Sequence, residues 1–333
     1  EIYTLSLHDA LPISISGGTV SGADTYNYLE ECTLTATANT GYHFVSWKKN
    51  GQVVSTDANY TFQVTGDASY VANFELNVYS ITATVSPENS GTVSGAGNYT
   101  HGSSCTLEAT PATGYHFVNW TKNGQVVYSE ATYTFTATEE GAYVANFAIN
   151  SYEITATVNP ANAGTVSGTG NHDHFSTCTL VATPATGYHF VNWTLNGQAV
   201  SNNATYSFEV TEAAAYVANF ELNNYDITAT VNPENTGTVS GTGSHDHFST
   251  CTLVATPATG YHFVNWTLNG QEVSTNANYS FTVSGPAAYV ANFAINNYTI
   301  STTVNPANAG TVTGAGSYDH FSTCTLEATP ATG

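Results

Sequence analysis

The segment HDHFSTC, which occurs twice, places two histidines and a cysteine within seven residues. His172, His174 and Cys178 form the first copy, and the second copy follows 73 residues later. Alternate residues of a strand point to the same side, and imidazole and thiolate groups bind zinc, so these side chains could share a metal ion. The candidate metal ligands of the two copies are His172, His174, Cys178, His245, His247 and Cys251.

Two features of the sequence argue against this metal site. The corresponding segment of the preceding copy is NYTHGSSC, in which His101 is the single histidine, and the first copy reads TYNYLEEC. A zinc ion that a domain needs for folding should not be optional between neighbouring copies, and no fourth ligand is evident. We therefore favour a polar loop beside a strand, and we predict no cofactor.

One cysteine occurs in each copy, at positions 32, 105, 178, 251 and 324. A single cysteine cannot form a disulfide within its own copy, and a bridge between copies needs Cα atoms within about 7 Å. In the segment CTLVA, Cys178 alternates with Leu180 and Ala182 on one side of a predicted strand. We expect buried free thiols that pack as small apolar residues.

The motif GYHF supplies a further recurring histidine, which is His189 in the third copy. A catalytic histidine needs a nucleophile or carboxylate partner, and one active site in every copy of an array is not expected. The motif GTVSG also differs from the G-x-S-x-G nucleophile elbow, because its serine is displaced by one position. His189 is predicted on the outward face of a strand, and neither catalytic residues nor enzyme activity are predicted.

Internal repetition explains the spacing of all these residues. Tryptophans lie at positions 47, 120, 193 and 266, and the motifs GTVSG and GYHF recur with the same period of 73 residues. A period without slippage is the signature of a repeat protein. The predicted domains are residues 14–76, whose first strand is missing, 79–149, 152–222, 225–295 and 298–333, where the fifth repeat is truncated.

Alternating apolar and polar residues predict strands throughout a repeat. In YEITATVNP, Tyr152, Ile154 and Val158 alternate with polar residues, as in a half-buried strand. The dipeptide Asn196-Gly197 predicts a β-hairpin, and no segment shows a sustained helical period. We predict an all-β fold of about six short strands per repeat. The modules would be small and tandem, β-grasp-like or a small β-sandwich, joined like beads on a string.

The composition limits the partners of the chain. Its 333 residues include three basic and 24 acidic ones, and the net charge of −21 predicts no binding to nucleic acid. No run of 18 apolar residues occurs, so no membrane span is predicted. Aromatic residues make up 12% of the chain, which is enough to give each module a core.

Four motifs of the repeat carry a resemblance to a known family. The elements GTVSG, TLVATP, GYHFVNW and VANF resemble those of the divergent InlB B-repeat of bacterial surface proteins, and the resemblance covers residues 15–333. It implies a fold related to the internalin B repeat, a ubiquitin-like β-grasp. It also implies extracellular or cell-surface, tandem, non-catalytic modules. Cys178 departs from the family pattern, which more often has an aliphatic residue there.

Residues 1–13 do not fit the repeat, whose register is lost before Gly18. The string EIYTLSLHDALPI resembles the translation of a common sequencing adapter, so we interpret residues 1–13 as an artefact. YTLSL at residues 3–7 nevertheless alternates like YSITA at residues 79–83, which predicts a substitute first strand. Because the sequence also stops inside the fifth repeat, we expect the natural protein to be longer.

Two functions fit these observations. One is a spacer or stalk of a bacterial cell-surface or secreted protein, monomeric and about 90 Å long for three repeats. The alternative is a multivalent adhesion module whose exposed aromatic side chains bind glycans or host proteins. Tyr188, Phe190 and Trp193 distinguish the two functions, because their burial favours a spacer and their exposure in an open groove favours adhesion.

Overall fold

The computed structural model describes the backbone of residues 2–9 and all of residues 17–333. Every regular element in these ranges is a β-strand, which confirms the predicted all-β class. The chain divides into two compact units. One comprises Glu1–Tyr152 with Asp173–Phe175, and the other comprises Glu153–His172 with Ser176–Gly333.

The strands follow the 73-residue period, with eight in each of the first four repeats. The first repeat has β1 (Ile2–Asp9), β2 (Gly18–Ser21), β3 (Thr25–Asn27), β4 (Glu31–Ala38), β5 (Tyr42–Lys49), β6 (Gln52–Ser55), β7 (Asn59–Gln63) and β8 (Ala68–Leu76). The second has β9 (Val78–Ser86), β10 (Gly91–Ser94), β11 (Gly97–Thr100), β12 (Ser104–Pro111), β13 (Tyr115–Lys122), β14 (Gln125–Tyr128), β15 (Thr132–Thr136) and β16 (Gly141–Ile149).

The later repeats continue the same series. The third has β17 (Ser151–Asn159), β18 (Gly164–Ser167), β19 (Gly170–Asp173), β20 (Thr177–Pro184), β21 (Tyr188–Leu195), β22 (Gln198–Ser201), β23 (Thr205–Glu209) and β24 (Ala214–Leu222). The fourth has β25 (Asn224–Asn232), β26 (Gly237–Ser240), β27 (Gly243–Asp246), β28 (Thr250–Pro257), β29 (Tyr261–Leu268), β30 (Gln271–Ser274), β31 (Asn278–Thr282) and β32 (Ala287–Ile295). The fifth has β33 (Asn297–Ile300), β34 (Gly310–Thr313), β35 (Gly316–Asp319) and β36 (Glu327–Pro330).

Two sheets form each of the first four repeats, as the second repeat illustrates. Its larger sheet has the order β11-β9-β16-β13-β14, and its smaller sheet has the order β10-β12-β15. The first and last strands of the repeat, β9 and β16, are parallel neighbours. The other pairs of this repeat are antiparallel. These two sheets correspond to the small β-sandwich alternative.

One hydrophobic core lies between the two sheets of a repeat. In the second repeat, Leu107 of the smaller sheet packs in one cluster with Trp120 and Tyr143 of the larger sheet. Strand β12 alternates buried and exposed residues, which directs Cys105 and Leu107 into this core. Trp120 is fully buried, and its Nε1 donates a hydrogen bond to the Ala131 carbonyl oxygen at 3.1 Å. The indole therefore joins the apolar core to the loop before β15.

A tyrosine is buried at the position of Tyr143 in every one of the first four repeats. Burial raises the pKa of Tyr70, Tyr216 and Tyr289 to about 12. Their hydroxyl groups therefore stay protonated well beyond neutral pH, because the ionised form would lose its hydration in the core.

The predicted substitute first strand is confirmed. Strand β1 pairs in parallel with β8, with Leu5 opposite Ala68, just as Ile81 lies opposite Gly141 in the second repeat. Leu5 takes the place of Ile81 although the period alone would put His8 there, so the strand is offset by three residues. The remaining residues of the 1–13 segment, and Ser14, lie outside the described residues.

The prediction of about six strands per repeat was too low. In the third repeat, the short strands β19 and β22 are the two beyond that number, and they bring it to eight. The predicted Asn-Gly hairpin is confirmed between β21 and β22, where Asn196 and Gly197 have φ angles of 52° and 78°. Positive φ at both central residues is the geometry of a type I′ turn, which matches the twist of the two strands.

Candidate functional site

The segment HDHFSTC brings two of its three candidate ligands to one backbone carbonyl. In the fourth repeat, the Gly241 carbonyl oxygen lies 3.3 Å from His245 Nε2 and 3.4 Å from Cys251 Sγ. His247 lies elsewhere, against Gly187 of the third repeat. In the third repeat, His172 and Cys178 share the Gly168 carbonyl oxygen in the same way. His174 lies against Gly114.

The position of His172 has a structural equivalent in the other repeats. There the hydroxyl groups of Tyr26, Tyr99 and Tyr318 donate to the carbonyl oxygen of the last glycine of the GTVSG or GTVTG motif, at 2.5–2.7 Å. Either a tyrosine or a histidine therefore contacts that carbonyl oxygen in each repeat. In the part of the chain that the structure describes, no three metal-ligating side chains come together.

A single asparagine connects each repeat to the next. Strand β24 ends at Leu222 and β25 begins at Asn224, so Asn223 is the whole connection. Its N–H donates to the Gly187 carbonyl oxygen and its carbonyl accepts from the N–H of His247, both at 2.8 Å. Asn77, Asn150 and Asn296 make the same pair of backbone hydrogen bonds. The connection between repeats is therefore one residue, whose backbone N–H and carbonyl are both hydrogen-bonded.

The histidine of GYHF contacts this connecting residue. His189 lies on the exposed face of its strand, as predicted, and its Nδ1 lies 3.1 Å from the Asn223 side-chain oxygen. His43, His116 and His262 make the equivalent contact at 2.9–3.0 Å. The recurring histidine therefore holds the side chain of the connecting asparagine. The sequence contained a signal for this pair, since both residues recur with the same period, but it did not show that they meet.

The second histidine of HDHFSTC packs closely on a glycine of the preceding GYHF motif. A Cβ atom at Gly187 would lie 2.4 Å from His247 Cδ2, and one at Gly114 would lie 2.1 Å from His174 Cδ2. Both histidines are 7% exposed, and within the described residues neither ring nitrogen of His174 has a hydrogen-bond partner. Glycine is required at these positions because only a residue without a side chain admits the imidazole ring.

Four of the five cysteines are buried as predicted, and Cys324 is not. Cys32, Cys105, Cys178 and Cys251 are free and fully buried, whereas Cys324 is free and partly exposed. Burial raises the pKa of the Cys178 and Cys251 thiols. A buried thiol with a raised pKa is a poor nucleophile near neutral pH, because only the thiolate reacts readily.

Thiol labelling of the native chain is expected to distinguish the four buried cysteines from the partly exposed Cys324. Cys324 should react with a maleimide in native buffer, while the four buried cysteines should react at least about ten-fold more slowly. All five should react in denaturant without a reducing agent. Mass spectrometry of peptides after timed labelling gives each rate, and Cys324 serves as the internal control. Rapid native labelling of Cys178 would contradict its placement in the core, and a lack of labelling in denaturant would indicate a disulfide.

The aromatic residues that distinguish a spacer from an adhesin lie mostly in the core. Trp193 is fully buried, and the Phe190 ring packs on it with a centroid separation of 5.9 Å. Phe190 also meets the buried Phe220 at 5.7 Å. Tyr188 is half-buried and lines a shallow cleft of about 430 Å³ with Phe220 and four other residues. One of the three diagnostic aromatics therefore borders an open surface, and two contribute to the interior.

A different aromatic residue is exposed in the HDHFSTC segment. Phe175 and Phe248 are 53% and 56% exposed, and both adopt positive φ angles, of 61° and 65°. Non-glycine residues rarely adopt this conformation, which costs about 1–2 kcal/mol. Sequence reasoning missed these residues, since a phenylalanine between a histidine and a serine suggests neither strain nor exposure.

Comparison with known proteins gives one family. The sequence model described as divergent InlB B-repeat domain matches residues 13–78, 81–151, 154–224, 227–297 and 300–333. Among curated proteins, none matches the chain. None of the described residues forms a helix of the length and hydropathy that a bilayer crossing needs.

Two solved structures are similar to the chain over most of its length. The Bacillus anthracis TIE protein is 12% identical with a TM-score of 0.34, and the similarity covers 87% of this chain and 67% of that one. The open conformation of the pilus adhesin SpaC from Lactobacillus rhamnosus GG is 8% identical with a TM-score of 0.15, covering 88% of this chain and 43% of that one.

Proposed function

Because the chain belongs to the divergent InlB B-repeat domain family, we propose that it is an extracellular, non-catalytic repeat region. It acts as a spacer or stalk of a bacterial cell-surface or secreted protein. Each 73-residue period, with boundaries at residues 79–149, 152–222 and 225–295, is one folding module of this spacer. The proposal includes no cofactor and no nucleic-acid partner.

The single observation that carries the spacer function is the burial of the recurring aromatic residues. Trp47, Trp120, Trp193 and Trp266 are all 0% exposed. The tryptophan that recurs in the sequence therefore lies in the hydrophobic core of each of the first four repeats. Burial of this side chain leaves it unavailable to a ligand, which favours a spacer over an adhesin. The one-residue connections support the same function, since they limit the freedom of neighbouring repeats.

The surroundings of the reactive side chains support the absence of catalysis. His189 contacts an asparagine amide, and Cys178 shares a backbone carbonyl with His172. Neither contact activates a nucleophile, because a general base must accept the proton of the attacking group. No catalytic family is indicated by the comparisons.

The spacer function is tested by changing the number of repeats. The chain is placed between a wall anchor and a fluorescent domain, and the distance of the fluorophore from the cell wall is measured. Deletion of residues 152–224 should shorten this distance by about 30 Å, the diameter of one module. Deletion of residues 225–297 should have the same effect. As a matched control, replacement of the third repeat by a second copy of the fourth should change nothing. A distance that does not depend on repeat number would refute the spacer function.

The exposed Phe175 and Phe248 favour adhesion as the second candidate function. Exposed aromatic rings that recur at a fixed spacing can bind several copies of one ligand with increased avidity. Binding of the purified chain to arrayed glycans and to host matrix proteins tests this alternative. Adhesion requires binding that is lost when Phe175 and Phe248 are both replaced by serine. Spacer function alone predicts no binding for either form.

A further inference from the structure

The first and last strands of a repeat lie side by side in parallel. In the fourth repeat, β25 and β32 pair at six positions, from Ile227 opposite Ala287 to Asn232 opposite Asn292. The third repeat pairs β17 with β24 at six equivalent positions. The chain enters the repeat at the start of one of these strands and leaves it at the end of the other. The entry and exit points of a repeat are therefore at opposite ends of one hydrogen-bonded strand pair.

This arrangement determines how a pulling force acts on the repeat. Tension applied at the entry and exit points pulls the two strands in opposite directions along their length. All six paired positions then bear the load together, and none can separate without the others. Force applied at the same end of both strands would instead separate the pairs one after another, each under the full load.

The core and the neighbouring strands protect this strand pair. Strand β32 lies between β25 and β29 in the middle of its sheet. Tyr289, Ala291 and Phe293 of this strand are buried in the core. Water is thus kept from one face of the hydrogen bonds that the force must break. At the exit end of the pair, the Asn232 side-chain Nδ2 also donates to the Asn292 Oδ1 at 2.9 Å.

The connection between repeats contains no slack to absorb a pull. Asn223 joins β24 to β25, and Asn296 joins β32 to β33, each as a single residue with both backbone groups hydrogen-bonded. Tension on the array therefore passes from the last strand of one repeat to the first strand of the next. No flexible linker must be extended first.

We propose that the parallel pair of first and last strands makes each repeat a force-bearing module, built to resist tension along the chain. This inference takes its biological setting from the proposed spacer function, because a stalk between a cell and an attached object is under tension. The resistance itself is a property of the folded repeat, so it can be measured whether or not the chain is a spacer.

Single-molecule force spectroscopy on the full chain tests the inference, with two attachment geometries in the third repeat. In the first, click-reactive residues replace Glu153 and Glu221, which lie at the start of β17 and near the end of β24, so that force shears the pair. In the second, they replace Glu153 and Glu212, which lie at the same end of the pair, so that force peels it. All three glutamates are exposed.

The shearing geometry should need at least about a two-fold higher unfolding force than the peeling geometry at equal loading rate. Full unfolding between Glu153 and Glu221 should lengthen the chain by roughly 200 Å, as expected for an extended segment of that size. Equal forces in the two geometries would overturn the inference. Circular dichroism of both attachment variants checks that they are folded, which excludes a trivial cause for a low force. If the third repeat resists shear but deletion of a repeat does not shorten the distance from the cell wall, the spacer function is refuted and this inference is not.

Discussion

Replacing Trp193 with alanine is expected to unfold the third repeat while the fourth repeat stays folded. Trp193 is fully buried, and its Nε1 donates to the Ala204 carbonyl oxygen at 3.2 Å. Truncation of a buried tryptophan typically costs about 3–5 kcal/mol, through lost burial and the cavity that remains. A domain of 73 residues has a total stability of roughly 4–11 kcal/mol. The substitution therefore removes a large share of the stability of this repeat, and all of it if that stability is near the lower end of the range.

Hydrogen exchange read by mass spectrometry locates the effect. Peptides from residues 152–222 should lose protection, while peptides from residues 225–295 should keep it. Val200→Ala is the matched control, because Val200 is 36% exposed on β22 of the same repeat and its truncation should cost less than about 0.5 kcal/mol. Loss of protection in both repeats would show that the modules do not fold independently. Retention in both would show that Trp193 does not anchor the core.

The local parts of the fold could be predicted because they depend on neighbouring residues. Alternation in CTLVA placed Cys178 and Leu180 on one face, and both are fully buried. The dipeptide Asn196-Gly197 predicted the tight turn, because asparagine and glycine tolerate the positive φ angles that it requires. These inferences need only the strand period of two and the conformational preferences of single residues.

The features of the fold that could not be predicted depend on contacts between residues far apart in the chain. Alternation in β17 and β24 shows that each has a buried face, but it does not show that the two are parallel neighbours. The predicted domains left residues 150 and 151 between the second and third repeats. Only the structure shows that Asn150 alone lies outside the strands. The contact between His116 and Asn150 was hidden for the same reason, since it joins residues separated by 34 positions.

The candidate site was predictable in part. The sequence predicted the burial of Cys178, which is fully buried, and it gave reasons to doubt a metal site at His172, His174 and Cys178. It could not show why histidine is optional at position 172. The reason is that the side chain at this position contacts a glycine carbonyl, and the hydroxyl of Tyr99 does so equally well in the second repeat.

Replacing Gly168 with alanine is expected to destabilise the third repeat far more than the same change at Gly197. Both glycines have positive φ angles, of 91° and 78°, so alanine meets a similar backbone penalty of about 1–2 kcal/mol at each. The difference lies in the space around them. A Cβ atom at Gly168 would lie 1.9 Å from the Thr179 carbonyl oxygen, whereas one at Gly197 would meet nothing within 4 Å.

The obstacle at Gly168 is backbone, so it cannot be relieved by turning a side chain. Strand β18, which precedes Gly168, is paired with β20, so moving Thr179 away would disturb the smaller sheet. Overpacking of this kind costs about 1–3 kcal/mol, and occasionally more, in addition to the backbone penalty.

Urea unfolding of the two variants, followed by exchange protection of residues 152–222, measures this difference. Gly168→Ala should lose at least about 2 kcal/mol more than Gly197→Ala. The comparison isolates the steric effect because both glycines have a positive φ angle and only Gly168 faces a neighbouring carbonyl oxygen. Equal losses would mean that the last glycine of GTVSG recurs for its φ angle alone. The expected inequality would show that this glycine recurs because two backbone segments approach each other there, at Gly95 and Thr106 as at Gly241 and Thr252.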